Sequence, residues 1–397
     1  MHSKNTVRYY LLLVAVLFFL FLSGDFGLVD VQKTAIVMAV GIDREEDTFI
    51  VTSQIAVPQS SKQGKASETV QLVSRGKTVA DAFNEINAKT GWYPKLVFCR
   101  LLILGEKTVQ KDAFDALDFF LLDEYMSDNC LVATCDGRAN ELLNVTALVD
   151  PSGSVAMQKV LSSHAERVGS VRPSTLREFS IGYFSDSKSG YLPVLKTQPQ
   201  QEKIAVKPQN NASSSSESAG KSGEEQTNKP VFSASETALF FDGKRVGTLT
   251  KEETFAFNAV KGKLRLAAYS VENGESACTL TIKRNSPKTK FTLSPDGRAN
   301  YQIELLMTAG LLDFSKSLPL EKTADAGDIP NGAFAQAEKR LAGQIRTLFE
   351  KCRTSGCDLF GLTQALQKKE NDRFESVRPT LLENATAEIS VRFQGVR

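Results

Sequence analysis

The order of apolar and polar positions divides the chain before any motif is considered. Residues 11–22 are an unbroken apolar run, behind Lys4 and Arg8 and ahead of Ser23-Gly24-Asp25. A short basic region, an apolar core and then small residues is the layout of an export signal. A spanning helix needs about 20 apolar residues, and residues 9–29 reach that length only by including Asp25. Phe21 or Leu22 would occupy the position where a signal peptidase prefers a small side chain. Residues 1–24 are therefore read either as a removed signal or as a retained signal-anchor helix, and both place the remainder outside the cytoplasm.

Residues 34–43 and 49–58 read as two β-rich runs joined by the charged turn Arg44-Glu45-Glu46-Asp47. The second alternates, with Phe49, Val51 and Ile55 on one face and Thr52 and Gln54 on the other. A helix opening at Thr78 carries Val79, Phe83 and Ile86 on one side and stops at Gly91. Leu101-Leu102-Ile103-Leu104 fits a buried central strand. Asp112 can cap a helix whose Phe114, Leu117 and Leu121 share a face. A further strand at 131–134 and a helix from Ala139 complete a mixed α/β domain over residues 30–196.

Composition then shifts. Residues 197–232 are rich in Ser, Asn, Gln, Lys and Glu, have little to bury, and read as a disordered linker between domains. Beyond it, Asp242-Gly243 and Asp296-Gly297 suit tight hairpins. Cys278, Leu280 and Ile282 alternate with polar neighbours, as one wet and one buried sheet face requires. A long helix from Pro330 places Ala337, Leu341, Ile345, Leu348, Phe349 and Cys352 on one stripe and ends at Gly356, after which Asp358 can cap a helix beginning near Leu359. A last strand sets Ala387, Ile389, Val391 and Phe393 against Glu388, Ser390, Arg392 and Gln394. Residues 233–397 thus predict an α+β region, an antiparallel-rich sheet covered by helices, with the hairpin of 233–262 either part of it or of a small middle domain. The whole is a multi-domain fold of mixed sheets flanked by helices.

Charge and composition narrow the chemistry. In 397 residues, 48 Lys plus Arg stand against 46 Asp plus Glu, so no concentrated basic face marks a nucleic-acid binder. With two His, no multi-histidine metal site can form, and six scattered Cys read as buried free thiols rather than a disulfide framework. No cofactor is implied. Ser74-Arg75-Gly76-Lys77, Ser127-Asp128-Asn129 and Lys188-Ser189-Gly190 follow the order used by penicillin-recognising serine enzymes. That chemistry needs the first motif at the start of a buried helix, yet Arg75-Gly76 precedes a helix that opens only at Thr78. The Lys-(Ser/Thr)-Gly triplet also recurs at Lys89-Thr90-Gly91 and Lys221-Ser222-Gly223, which shows how cheaply this composition produces it. Gly220-Lys221-Ser222 imitates the end of a phosphate loop, but no strand precedes it. His164, in a polar stretch, reads as a surface or satisfied residue. Trp92-Tyr93-Pro94, after the helix-stopping Gly91, is either an exposed aromatic corner or a packed loop.

A set of landmarks carries a resemblance. The apolar N-terminal segment is followed by Thr34-Ala35-Ile36-Val37-Met38-Ala39-Val40-Gly41-Ile42-Asp43, then Leu101-Leu102-Ile103-Leu104-Gly105-Glu106 and Leu117-Asp118-Phe119-Phe120-Leu121-Leu122-Asp123. Tyr191-Leu192-Pro193-Val194-Leu195, Thr237-Ala238-Leu239-Phe240, Gly243-Lys244-Arg245-Val246-Gly247-Thr248-Leu249 and Cys357-Asp358-Leu359-Phe360-Gly361-Leu362 continue it. In this order they resemble the spore germination Ger(x)C family, the C subunit of nutrient germinant receptors. Two departures stand out. The family's lipobox ends in Cys, whereas Asp25 holds that position here and offers no thiol for lipidation. Its Gly-His pair before the apolar strand is replaced by Cys99-Arg100, a fixed cation in place of a titratable ring.

The resemblance implies a non-enzymatic, membrane-tethered, extracytoplasmic subunit at the spore inner membrane, joining polytopic A and B subunits. Trp92, Tyr93 and Arg100 are the candidate contacts with those partners, since aromatic and Arg side chains concentrate at interface cores. Two alternatives remain from the residues alone. One is a cell-wall serine acyltransferase using Ser74, Lys77, Ser127 and Lys188, and the other is a free-standing exported ligand-binding protein.

Overall fold

The computed structural model describes residues 2–22, 34–56, 69–145, 152–162, 165–198, 231–273, 276–314 and 332–396. A first helix, α1 (His2–Leu22), carries the apolar N-terminal run. Its described side chains, those of residues 7–18, are all exposed. Among the described residues no helix is long and apolar enough to cross a membrane.

The first body segment alternates strands and helices: β1 (Thr34–Glu45), β2 (Thr48–Ala56), β3 (Thr69–Gly76), α2 (Val79–Thr90), β4 (Tyr93–Lys95), β5 (Leu101–Leu104), α3 (Glu106–Lys111), α4 (Ala113–Leu122), β6 (Leu131–Cys135), α5 (Ala139–Leu143), α6 (Gly153–Val160), α7 (Ala165–Val168), α8 (Leu176–Phe184) and β7 (Ser189–Gln198). Local chemistry sets many of these bounds. Thr78 caps α2 through its side chain, and Gly91 ends it at φ 68°, a left-handed conformation that costs glycine little. Asp112 caps α4 by accepting the Phe114 N–H at 2.8 Å. Phe120, rather than Leu121, completes the buried face of that helix.

The strands form one mixed sheet in the order β3-β2-β1-β5-β6-β7, with β4 beside the start of β1. Strands β1, β4, β5, β6 and β7 run parallel, β2 returns antiparallel beside β1, and β3, antiparallel to β2, resumes the direction of β1. Helical layers cover both faces. Leu102, Leu104 and Val132 pack with α2, α4 and α8 on one side. Leu101, Ile103 and Ala133 pack with α5 and α6 on the other. Thr52, Ser53 and Gln54 of β2 are consequently buried, although polar residues in an alternating strand ordinarily face water.

The linker has an unexpected topological position. Residues 199–230 lie outside the described set, but the strands on either side of them are partners. β8 (Val231–Phe241) pairs antiparallel with β7, and Gln198 is the register partner of Val231. β9 (Lys244–Leu249) then closes a hairpin on β8, through Asp242 at φ 48° and Gly243 at φ 78°. The hairpin within 233–262 therefore extends the first sheet. The edge of β7 supplies the hydrogen-bonding partner that β8 needs.

The second sheet follows α9 (Lys251–Val260) and comprises β10 (Ala267–Asn273), β11 (Ser276–Leu293), β12 (Ala299–Phe314) and, after α10 (Ala333–Ser355), α11 (Leu362–Lys369) and α12 (Phe374–Val377), the final β13 (Thr386–Gly395). Its order is β10-β11-β12-β13, antiparallel except for the last pair. The expected α10 stripe is buried from Ala337 to Cys352 against one face. The other face is open, with Glu304, Leu306, Ser390 and Arg392 exposed. Leu239 and Leu249 of the first sheet join the same core, so the two halves share buried surface.

Candidate functional site

Because β1, β4, β5 and β6 run parallel, the loops leading into them share one rim of the first sheet. The sequence candidates lie on it. Trp92 is 38% exposed and Tyr93 49%, so the aromatic corner faces outward. Tyr93 is the register partner of Thr34, at the point where β1 begins. Val97 and Phe98 are exposed in the turn before β5, and Arg100 is exposed beside them. Tyr125, in the loop before β6, joins the rim through the Lys95 ammonium, 4.3 Å from its ring centre. Tyr125 and Phe98 were not identified from the sequence. Neither lies in a periodic segment, and only the parallel pairing brings the two loops to one end.

Arg100 marks where the rim turns inward. Its N–H donates to Met38 O and its carbonyl accepts from Leu131 N, fixing β5 between β1 and β6. Cys99 and Cys130 lie buried beneath it. The neighbouring Cys99 thiol and burial together hold Cys130 in its thiol form. All six cysteines are buried and free.

The acyltransferase constellation is not assembled. Ser74 is fully buried on β3, where its hydroxyl donates to Val51 O at 3.3 Å. Lys188 precedes β7, exposed and paired with Asp242 at 2.8 Å. Five strand spacings separate β3 from β7, about 24 Å at roughly 4.8 Å each. Lys77 lies exposed in the turn before α2. The Ser127 hydroxyl accepts the Asn129 N–H at 3.3 Å in the loop before β6. Lys221 and His164 lie outside the described residues. Among the described residues no group of three or more His, Cys, Asp or Glu is placed to hold a metal ion.

Two buried carboxylates that sequence reading treated only as motif members or caps turn out to hold junctions. Asp43, at the end of the β1 motif, accepts the Ala139 and Asn140 N–H groups at 2.8 and 3.0 Å, fixing the start of α5. Burial raises its pKa despite those bonds. Gly105 passes so close that a Cβ there would meet the Asp43 carboxylate, which accounts for glycine at that position. Asp358 accepts the N–H groups of Gly361, Leu362 and Thr363 at 2.8, 2.9 and 2.7 Å, capping α11 three residues later than the pattern suggested. Its own N–H donates to Ser189 Oγ at 2.8 Å, and the Cys357 thiol points to Gly190 O and Phe240 O. The Cys357-Asp358 corner therefore pins the C-terminal helices to the first sheet.

A cleft of about 330 Å³ lies at the same junction, lined by Val171, Arg172, Glu178, Asn258 and Lys263 among others. The Arg172 guanidinium rests 5.2 Å from the Tyr191 ring centre and 5.4 Å from that of Phe257, and donates to Tyr191 Oη at 2.9 Å. Asn258 donates to Gly169 O and Val171 O. These groups staple the two halves together. The aromatic rim, by contrast, is exposed at the surface, as are Leu122, Ile181 and Phe184 elsewhere on the body.

The comparisons agree with this architecture. The family described as Spore germination protein N-terminal domain matches residues 28–197. The one described as Spore germination B3/GerAC like, C-terminal, matches residues 235–394. Spore germination protein A3 of Bacillus subtilis (strain 168) is 26% identical over 175 residues, which cover 42% of this chain and 46% of that protein. The chain thus spans about half the length of that curated relative. The crystal structure of the GerBC protein superposes with a TM-score of 0.53 at 14% identity, covering 90% of this chain and 97% of the other. With two matched regions that together take in most of the chain, the protein belongs to the spore germination Ger(x)C family.

Proposed function

We propose that this chain is a non-enzymatic, membrane-tethered subunit on the extracytoplasmic face of the spore inner membrane, acting as scaffold or signalling partner of polytopic A and B receptor subunits. The observation that carries this reading is α1, whose described side chains are all exposed, set ahead of a body built of three packed cores. Leu11, Leu12, Leu13 and Phe18 present apolar surface that no part of the body covers, and a bilayer would remove it from water. Asp25 has no thiol to carry a diacylglycerol thioether, so the apolar side chains of α1, although its described residues fall short of a full span, serve as the tether by burial in the bilayer.

Alkaline extraction of spore membranes followed by intact-mass measurement tests this. The chain should stay in the membrane pellet at full length without added lipid. A soluble product starting after Gly24 would contradict it. The acyltransferase alternative is tested with a fluorescent β-lactam. No covalent labelling is expected, and labelling abolished in Ser74→Ala would favour the enzyme.

A further inference from the structure

We propose that the aromatic rim sits in the headgroup layer of the bilayer, with Trp92, Tyr93, Phe98 and Tyr125 lying at the boundary between water and acyl chains. This inference rests on the tethered reading above. It reassigns residues that the sequence alone marked as contacts for the polytopic subunits.

Three observations favour the bilayer. The first is side-chain type. Trp and Tyr carry an apolar ring body with a polar tip, the combination that concentrates where hydrocarbon meets headgroups. Val97 and Phe98 add exposed apolar area on the same short stretch, and a contiguous exposed patch of this kind marks an interaction surface.

The second is position. Tyr93 is paired in register with Thr34, and the chain reaches Thr34 directly from α1, which ends at Leu22. Twelve residue steps span about 40 Å at most, at roughly 3.5 Å per residue. A membrane holding α1 therefore holds this rim within reach, whereas the opposite end of the sheet, at the Glu46-Asp47 turn, lies a full strand length further away.

The third is charge. Lys95 and Arg100 on the rim are offset by Asp123, Glu124 and Asp128 in the loop before β6. The rim therefore has no net positive face to seek anionic lipid, and its contact depends on burial of rings. Binding should be the same in zwitterionic and anionic membranes.

Trp92 is the only tryptophan in the chain, so it reports on its own surroundings. The full-length chain is reconstituted in phosphatidylcholine vesicles, and flotation first establishes that it is bound. In vesicles brominated near the headgroup, Trp92 emission should be largely quenched. In ordinary vesicles it should shift to the blue and lose its access to aqueous iodide. Adding phosphatidylglycerol should change neither result. A chain that floats with the vesicles while its emission ignores bromine and remains open to iodide would overturn the inference and leave the tether intact. A chain that fails to float would instead overturn the tethered reading.

Moving the reporter guards against a local peculiarity of Trp92. In a Trp92→Phe background, Tyr125→Trp should be quenched by brominated lipid, whereas Leu312→Trp, on the open face of the second sheet, should stay accessible to iodide. Protection of Trp92 that appears only when polytopic subunits are added would make the rim a protein contact, and the bilayer assignment would fall.

Discussion

The two sheets of this protein were written in similar alphabets but folded into different surroundings. In the second sheet, strand alternation means what it usually means. Ile389, Val391 and Phe393 turn toward α10, while Glu388, Ser390 and Arg392 face outward. In the first sheet, β2 alternates just as clearly, yet Thr52, Ser53 and Gln54 are all buried. The difference lies in the helices. One sheet has a single helical cover and the other has two, so the polar half of β2 is buried beneath α5 and its neighbours. Periodicity reports which residues share a face. The connectivity of the whole sheet decides whether that face is wet.

A lysine introduced on both sheets tests the contrast most severely. Thr52→Lys, on the face of β2 opposite Val51, would bury an unpaired ammonium and should destabilise the protein by about 4 kcal/mol or more. Ser390→Lys, on an exposed strand opposite Glu304, should change stability by no more than about 0.5 kcal/mol. Chemical denaturation of the detergent-solubilised chain compares them, and equal effects would refute the two-sided burial of the first sheet.

Asp358 tests how firmly the halves are joined. Removing its carboxylate leaves up to three buried N–H groups without an acceptor, so Asp358→Ala should cost about 3 kcal/mol. Asp358→Asn, which keeps one oxygen, should recover part of that loss. A separate unfolding transition for the second sheet in the Ala variant would show that the corner couples the two cores.

Asp43 probes the first sheet by pH. Its folded pKa is raised by burial, so the native state keeps the proton longer than the unfolded chain does. The stability this group contributes is present below its unfolded pKa and is lost as pH rises through the raised folded value. Asp43→Asn should remove that part of the slope, leaving a wild-type-minus-variant difference that falls with rising pH and then levels off. A difference that grows with pH over this range would reverse the assignment.

The smallest effect is expected between β7 and β8, neighbours in the first sheet. Residues 199–230 connect neighbours in one ladder, so deleting residues 210–225 shortens a loop without removing a packed face. Halving the loop should stabilise by about 0.6 kcal/mol through closure entropy. A marked fall in melting temperature would mean that this segment packs against the body.

Much of the fold could be read from local signals. Thr78, Gly91, Asp112 and Gly356 bounded their helices as their chemistry dictates, and the α10 stripe was buried residue for residue. The pairing of β7 with β8 could not be read that way. A polar stretch between two strands carries no information on whether its ends meet, so the pairing across residues 199–230 had no local signal. The candidate site was half legible for the same reason. Trp92 and Tyr93 advertise themselves beside a helix-stopping glycine. Phe98 and Tyr125 join them only because β4, β5 and β6 run parallel, a non-local fact.

The proposed role makes this chain one subunit of a membrane complex. Its most direct test is affinity purification of the tagged, full-length chain from detergent-solubilised spore inner membranes, with mass-spectrometric identification of what accompanies it. Two polytopic proteins should be retained in amounts comparable to the chain. Recovery of the chain alone, or from the soluble fraction, would contradict it.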